Sequence, residues 1–227
     1  MDLMLRLILI GRPGSGKGVQ GRRLLEELRK MGYNVTSIIT SKLLAEEAKK
    51  DTVEARIIKK CMREGILVPD EIVEGLIAKE IMRANGKFIL DGFPRTIEQA
   101  KWLDEFLKEK SWSISAAIYF EVDELTSLRR LMGRLECSNE GCRRIYNIFF
   151  NPPPDIRRCS CGALLRQRED DRYGKIVKRL DEFNEKTLKI VEFYEKKGIL
   201  MRVDASKSIE EITNKVLEYL LSIPRSA

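Results

Sequence analysis

Histidine is absent from the 227 residues of the sequence. The chain therefore cannot use a histidine nucleophile or pass protons through an imidazole relay. Long apolar runs are also lacking, and none approaches the roughly 18 residues of a membrane span. The apolar segment Leu3–Ile10 contains Arg6 and leads into a glycine-rich loop, not into a signal-peptide cleavage site. We expect a soluble cytoplasmic protein that does not bind membranes.

Acidic residues are outnumbered by basic ones, with 35 Asp and Glu against 42 Lys and Arg, so the net charge is +7. This excess favours anionic partners such as phosphates, nucleotides or nucleic acid, without choosing among them. Hydrophobic residues make up 43% and charged residues 34% of the chain, which is typical of a globular protein with a real core. The length fits one domain with sizeable insertions.

Apolar segments alternate with amphipathic ones along the chain. Strands are predicted at residues 3–10, 34–39, 87–90, 116–120 and 199–203. Helices are predicted at residues 19–31, 42–60, 72–82, 97–108 and 123–135, and after the last strand; Asp70 is a plausible cap. This order predicts an α/β fold with a doubly wound parallel sheet of five strands, and such sheets bind ligands beyond the carboxyl ends of their strands. Residues 136–166 break the pattern and should form a separate small lobe.

The segment Gly11–Lys17, GRPGSGK, fits the phosphate-loop pattern G-x-x-x-x-G-K. Glycines let the backbone N–H groups surround a polyphosphate, the next helix adds its positive N-terminus, and the lysine reaches the β and γ phosphates. The segment follows an apolar strand and opens a helix, as a phosphate loop requires. Gly18 and Val19 follow Lys17, so no hydroxyl is available there for Mg²⁺. Asp91, at the end of a predicted strand, is the candidate for Mg²⁺ through water, although it could simply cap a turn.

Cysteine is scarce, with five residues, and four of them lie within 25 residues. The clustered ones are Cys137, Cys142, Cys159 and Cys161. Their C-x4-C and C-x-C arms, separated by sixteen residues, have the overall layout of a structural zinc site, which can anchor a lobe too small for its own core. Neither arm has the usual C-x2-C spacing, so disulfides and free thiols stay open. The isolated Cys61 should be packed on a helix face.

Two further motifs carry a family resemblance. The sequence DGFPRT at residues 91–96, followed by Gln99, resembles the nucleoside-monophosphate-binding signature of adenylate kinases. The sequence REDD at residues 168–171, with Arg179 beyond it, resembles their lid-hinge arginine pattern. With the phosphate loop and the cysteine-bearing insertion, the resemblance to the long form of the family covers nearly the whole chain. It implies reversible transfer of the γ-phosphoryl group of ATP to AMP, giving two ADP, with Mg²⁺ and a structural Zn²⁺.

The same resemblance implies a core of P-loop kinase type with two inserted lobes. The core would comprise residues 1–40, 70–134 and 170–227. The lobe that binds the monophosphate would be residues 41–69, and the lid with the zinc-binding cysteines would be residues 135–169. We expect a monomer.

Site residues are implied by the resemblance, in agreement with the chemistry, because phosphoryl transfer depends on positioning and on neutralising charge. The catalytic cations would be Lys17, Arg95, Arg130, Arg168 and Arg179. ATP would be bound by Gly14, Ser15, Gly16, Lys17, Gly18, Val19, Arg130, Arg134, Ile145, Tyr146 and Lys207. AMP would be bound by Thr40, Lys42, Ile66, Leu67, Val68, Gly92, Phe93, Pro94, Arg95, Gln99, Arg168 and Arg179. Any single arginine, Arg134 above all, could instead be a solvated surface charge.

The chain departs from the family in the first acceptor segment. Ser41 replaces the usual glycine, and Ala45 replaces the usual phosphate-binding arginine. Lys42 lies three residues before Ala45 on the same predicted helix, so our hypothesis is that it supplies part of the lost charge. Because this arginine is missing, CMP or UMP stays open as the acceptor.

A more distant alternative is an NTPase that binds nucleic acid through a zinc ribbon. The basic residues are spread along helices with balancing acids, and no aromatic and basic stacking platform stands out. Nucleic acid is therefore not expected as a partner.

Overall fold

The computed structural model describes residues 5–142 and 144–223. Within them the strands are β1 (Arg6–Gly11), β2 (Thr36–Ile39), β3 (Phe88–Asp91), β4 (Ala116–Glu121), β5 (Arg134–Cys137), β6 (Ile145–Asn147), β7 (Leu165–Arg166) and β8 (Leu200–Asp204). The helices are α1 (Lys17–Lys30), α2 (Thr40–Glu47), α3 (Val53–Glu64), α4 (Asp70–Arg83), α5 (Ile97–Lys108), α6 (Glu124–Met132), α7 (Tyr173–Glu182), α8 (Leu188–Lys196) and α9 (Ile209–Ser222). No helix of the described residues is long and apolar enough to cross a membrane.

The central sheet has five parallel strands in the order β2-β3-β1-β4-β8. The predicted doubly wound α/β fold is therefore confirmed. β1 lies in the middle, and Leu9 near its carboxyl end is opposite Asp91 of β3 and Ile118 of β4. The phosphate loop thus begins at the centre of the sheet edge, with Asp91 on the neighbouring strand.

Both faces of the sheet are covered. Every residue of β1 is buried, with Leu7 and Leu9 packed on the side of α1 and α9, and Ile8 and Ile10 on the side of α4, α5 and α8. A fully buried aliphatic side chain stabilises the fold by about 1.5–3 kcal/mol, so this apolar strand fixes the position of the loop that follows it.

Two predicted helix boundaries are wrong. The helix expected at residues 42–60 is two helices, α2 and α3, because the Thr52 hydroxyl accepts a hydrogen bond from the Ala55 N–H (3.1 Å) and starts a new helix. The helix expected at residues 123–135 ends at Met132, because Arg134 already belongs to β5.

The helical run between the lid and β8 was not predicted. A short 3₁₀ turn (Glu169–Asp171) leads into α7, and a π-helical turn (Phe183–Thr187) joins α7 to α8. Buried apolar residues lie on both sides of the π-helical turn, with Ile176 and Leu180 on α7 and Ile190 and Tyr194 on α8.

The cysteine-rich segment forms its own antiparallel sheet, in the order β6-β5-β7. Its small apolar cluster is built around Cys137, Tyr146 and Cys159. The exact lobe boundaries given above stay a prediction.

Candidate active site

A single cleft of about 790 Å³ lies at the carboxyl ends of the parallel strands. The phosphate loop forms its floor, residues 39–41, 44, 61–62 and 65–68 form one wall, and the lid strands with α7 form the other. This is the edge where a doubly wound sheet binds its ligands.

The phosphate loop has the backbone that its glycines predict. Gly14 and Gly16 have φ values of +86° and +90°, and a Cβ added at Gly14 would lie 2.7 Å from the Ser127 carbonyl oxygen. The Ser15 hydroxyl is buried and has no hydrogen-bond partner among the described residues. The loop therefore offers unused donors to an anion at the N-terminus of α1.

Lys17 lies on the first turn of α1 with its ammonium inside the loop. Its Nζ donates to the carbonyl of Gly11 and to that of Arg12 (3.1 Å). Burial lowers the pKa of Lys17 to about 8, although Asp91 opposes this shift. Its hydrogen-bond partners among the described residues are neutral carbonyls, which phosphate oxygens can replace.

One side of the cleft is built on the start of α5. The Thr96 hydroxyl caps α5 by accepting from the Gln99 N–H (3.2 Å), and Arg95 Nε donates to the Gly92 carbonyl (3.0 Å). Gln99 Oε1 accepts from the Arg95 N–H, and Gln99 Nε2 donates to Asp70 Oδ1, both at 2.7 Å. The prediction that Asp70 is the N-cap of α4 is therefore wrong. Asp70 is the first residue of this helix, and its carboxylate orients Gln99.

One buried carboxylate holds two arginines at the lid hinge. Asp171 accepts from Arg134 Nε (2.7 Å) and from an Arg134 terminal nitrogen (2.6 Å), and also from Arg179 (3.3 Å). The Asp171 side chain is fully buried. Arg168 forms an ion pair with Glu136 of β5. Sequence reasoning quoted Asp171 only as part of a motif and missed this role.

On another side of the cleft, Arg130 contacts both the lid and the residue that follows β8. Arg130 donates to the Ala205 carbonyl (2.9 Å), and its guanidinium lies 5.9 Å from the centre of the Phe150 ring. Asn147 Nδ2 donates to the Arg130 carbonyl (2.8 Å). Phe150 and Asn147 both line the cleft but were not predicted as site residues.

The four clustered cysteines come together in the lid. Each Sγ lies within 4.8 Å of the other three, and all are free thiols. The Sγ–Sγ distances are 3.5 Å for Cys137 and Cys161, and 3.7 Å for Cys142 and Cys159. Zn–S bonds of about 2.3 Å in a tetrahedron separate the sulfurs by about 3.8 Å, so the group fits a metal ion.

Hydrogen bonds around Cys159 favour its thiolate. They come first from the Cys161 backbone N–H and then from the Tyr146 hydroxyl (3.5 Å), and they lower the pKa of Cys159 to about 6. A thiolate is the form of cysteine that binds a metal. Tyr146 thus lines the cleft and also contacts the cysteine cluster.

Residues 9–199 match the family model described as adenylate kinase. The chain belongs to the adenylate kinase family. It is an ATP:AMP phosphotransferase, and the predicted transferase activity is confirmed.

Three relatives show how far the likeness to adenylate kinases extends. The adenylate kinase of Archaeoglobus fulgidus is 37% identical over 215 residues, which cover 93% of this chain and 96% of the relative. That of Thermotoga maritima is 37% identical over 222 residues, covering 96% and 98%. That of Caldanaerobacter subterraneus is 34% identical over 220 residues, covering 96% of each. The likeness therefore extends over nearly the whole chain.

Most of the residues expected from the adenylate kinase resemblance line the one cleft. Two do not. Lys42 is exposed and is absent from the cleft lining, so the structure does not bring it to the place where it could replace the missing arginine. Phe93 is buried in the core, edge-on to Trp102 at 5.9 Å. Its role is to anchor the turn that carries Arg95.

Proposed function

We propose that ATP binds between the phosphate loop and the lid and that AMP binds between α2, α3 and the start of α5. The observation that carries this proposal is the continuity of the cleft, which joins the loop to Arg95, Arg168 and Arg179 without a dividing wall. Two nucleotides bound from opposite ends bring their phosphates together in the middle, where the cations lie. In-line transfer then needs no general base from the protein.

The proposed roles follow from where each group lies. Lys17 and the loop N–H groups hold the transferred phosphoryl group, and Arg95 holds the acceptor phosphate. Arg168 and Arg179 neutralise the charge that spreads over the phosphoryl oxygens in the transition state. The Asp91 carboxylate lines the cleft beside Gly18, and its Oδ2 lies 3.6 Å from the position that a Cβ on Gly18 would take, so it is placed to hold the hydrated Mg²⁺ that accompanies ATP. Mg²⁺ would supply charge neutralisation at the phosphates.

AMP is the proposed acceptor even though Ala45 leaves one cation missing. Gln99 is fixed between Arg95 and Asp70, and Ile66, Leu67 and Val68 line the same part of the cleft. We expect this part of the cleft to select the acceptor base by fit, which is worth about tenfold or more in kcat/KM. ADP formation from ATP with AMP should exceed that with CMP or UMP by at least about tenfold in a coupled assay. Equal or faster turnover of CMP or UMP would contradict this assignment.

We further propose that the four cysteines bind one structural Zn²⁺ ion. The sulfur separations and the small apolar cluster of the lid support this, because a lobe with so few buried side chains needs another source of stability.

We expect purified protein to contain about one zinc per chain by elemental analysis. Cys161→Ser should lose the metal and lower the Tm, because three thiolates cannot close the tetrahedron. Cys61→Ser is the matched control, since Cys61 packs in the hydrophobic core and is not one of the four clustered cysteines. This variant should keep the metal. Metal-free protein after purification without chelator, or equal metal content in both variants, would contradict the proposal.

A pH dependence follows from Lys17. Its pKa of about 8 in the free protein means that the ammonium loses its charge as the pH rises above 8. We expect kcat/KM for ATP to fall about tenfold per pH unit there, while kcat persists to higher pH because bound phosphates stabilise the ammonium.

The effect of Lys17 on stability has the opposite dependence on pH from its effect on kcat/KM. The unfolded chain keeps the ordinary lysine pKa of 10.5 and so binds more protons between pH 8 and 10.5, and this group raises the free energy of unfolding as the pH increases through that range. A kcat/KM for ATP that stays constant up to pH 9.5 would contradict the assignment of Lys17.

A further inference from the structure

Arg12 is a phosphate-loop residue whose side chain points away from the loop. One terminal nitrogen donates to the Val122 carbonyl (3.2 Å), and the other donates to Asn184 Oδ1 (3.0 Å). The guanidinium also lies 5.7 Å from the centre of the Phe183 ring. The side chain is only 19% exposed, with Glu124 at 3.8 Å. The Arg12 side chain therefore links the phosphate loop to Val122, just after β4, and to Phe183 and Asn184. It is not a free surface charge.

Arg12 reaches one particular turn, the π-helical turn that joins α7 to α8. Phe183 and Asn184 begin this turn, and Arg179 lies one helical turn before it. Thr187, at the end of the turn, donates from its hydroxyl to the Arg95 carbonyl (3.2 Å). A second contact fixes the Asn184 side chain, because its Nδ2 donates to Glu124 (3.2 Å).

The π-helical turn thus has direct hydrogen bonds to both sides of the transfer path. Arg12 attaches it to the donor phosphate loop, and Thr187 attaches it to the residue that carries the acceptor-side guanidinium. Turns of this kind are rare, and they occur mostly at functional sites. Shifting this turn would move Lys17 relative to Arg95 and Arg179.

We propose that Arg12 is a positioning residue for phosphoryl transfer, which sets the distance between the phosphate loop and the arginines of the acceptor side through Asn184. This inference rests on the proposed roles of Lys17, Arg95 and Arg179. A displacement of about 1 Å can cost on the order of 10²-fold in rate. Because the loop backbone keeps its own hydrogen bonds, we expect a smaller loss of about tenfold in kcat.

The test is a double-mutant cycle on kcat with Arg12→Ala and Asn184→Ala. Each variant should lower kcat about tenfold with KM for ATP and AMP changed by less than about threefold, and the double variant should be no worse than the single ones. Arg202→Ala is the matched control. Arg202 also lies over a ring, at 5.5 Å from Tyr119, and pairs with Glu195, but it is outside the cleft lining. Its removal should lower Tm without changing kcat.

Three outcomes would overturn the inference. The first is a kcat for Arg12→Ala within twofold of the wild type, and the second is a kcat of the double variant that falls by the product of the two single losses. The third is a rise in KM for ATP alone, which would make Arg12 a nucleotide ligand. If Arg12→Ala does not fold, Arg12→Lys keeps the charge and only one of the two hydrogen bonds, and it should show a partial loss of kcat. An inactive wild-type protein would instead contradict the proposed function, so the two failures are distinguishable.

Discussion

Replacing Lys17 with Met is expected to lower kcat about a thousandfold. The Lys17 ammonium lies inside the phosphate loop, where its described hydrogen-bond partners are two carbonyls. Its charge would therefore act on the phosphoryl group during transfer. Methionine keeps most of the length of the side chain and removes the charge.

Lys30→Met is the matched control, because Lys30 lies on the same helix and pairs with Glu27 at the exposed end of α1. It should leave kcat within about twofold of the wild type. Binding of ATP measured by calorimetry separates the two possible effects of Lys17→Met. We expect a modest loss of affinity beside the large loss of kcat, because the loop N–H groups still bind the phosphates. Retention of more than a tenth of the wild-type kcat would contradict the proposed role.

The parts of the site that local sequence encodes were predictable. The phosphate loop depends on glycines at fixed offsets beside one strand and one helix, and all of these lie within residues 6–30. The placement of Arg95 depends on the Thr96 cap just after it. In both cases a short motif fixes its own backbone, so sequence and structure agree.

The parts that depend on long-range contacts were not predictable. Arg12 and Asn184 are 172 residues apart, and Arg134 and Asp171 are 37 apart, so no local pattern pairs them. The prediction for Lys42 depends on a long-range arrangement in the same way. Helical spacing correctly places Lys42 and Ala45 on one face of α2, but it does not say whether that face borders the cleft, and neither residue does.

The missed helices have a different cause. Ile176 and Leu180 on α7, Phe183 at the start of the π-helical turn, and Ile190 and Tyr194 on α8 are all buried. Their spacings of four, three, seven and four residues keep one helical period across the turn, so the pattern was present in the sequence and the helices could have been predicted from it.

Asp171→Asn is expected to destabilise the protein by about 3 kcal/mol, the low end of the range for breaking a buried ion pair. The carboxylate is fully buried, but Arg134 and Arg179 keep 17% and 32% of their side chains exposed, so water recovers part of the cost. Asparagine retains the shape, yet leaves two neighbouring guanidinium groups without a counter-charge between them. In a chain of this size the Tm should fall by about 6–12 °C.

Asp51→Asn tests whether burial is the cause, because Asp51 also pairs with an arginine, Arg56, but is 96% exposed. Exposed pairs contribute about 0–1 kcal/mol, so this variant should keep its Tm within about 4 °C. Urea titration of both variants gives the free energy of unfolding directly, provided that the slope of the transition is unchanged. Equal losses in the two variants would show that the lid hinge gains nothing from the buried carboxylate. A larger loss for Asp171→Asn, together with a lower kcat, would mean that the group that stabilises the hinge is also the one that keeps Arg134 and Arg179 in place for phosphoryl transfer.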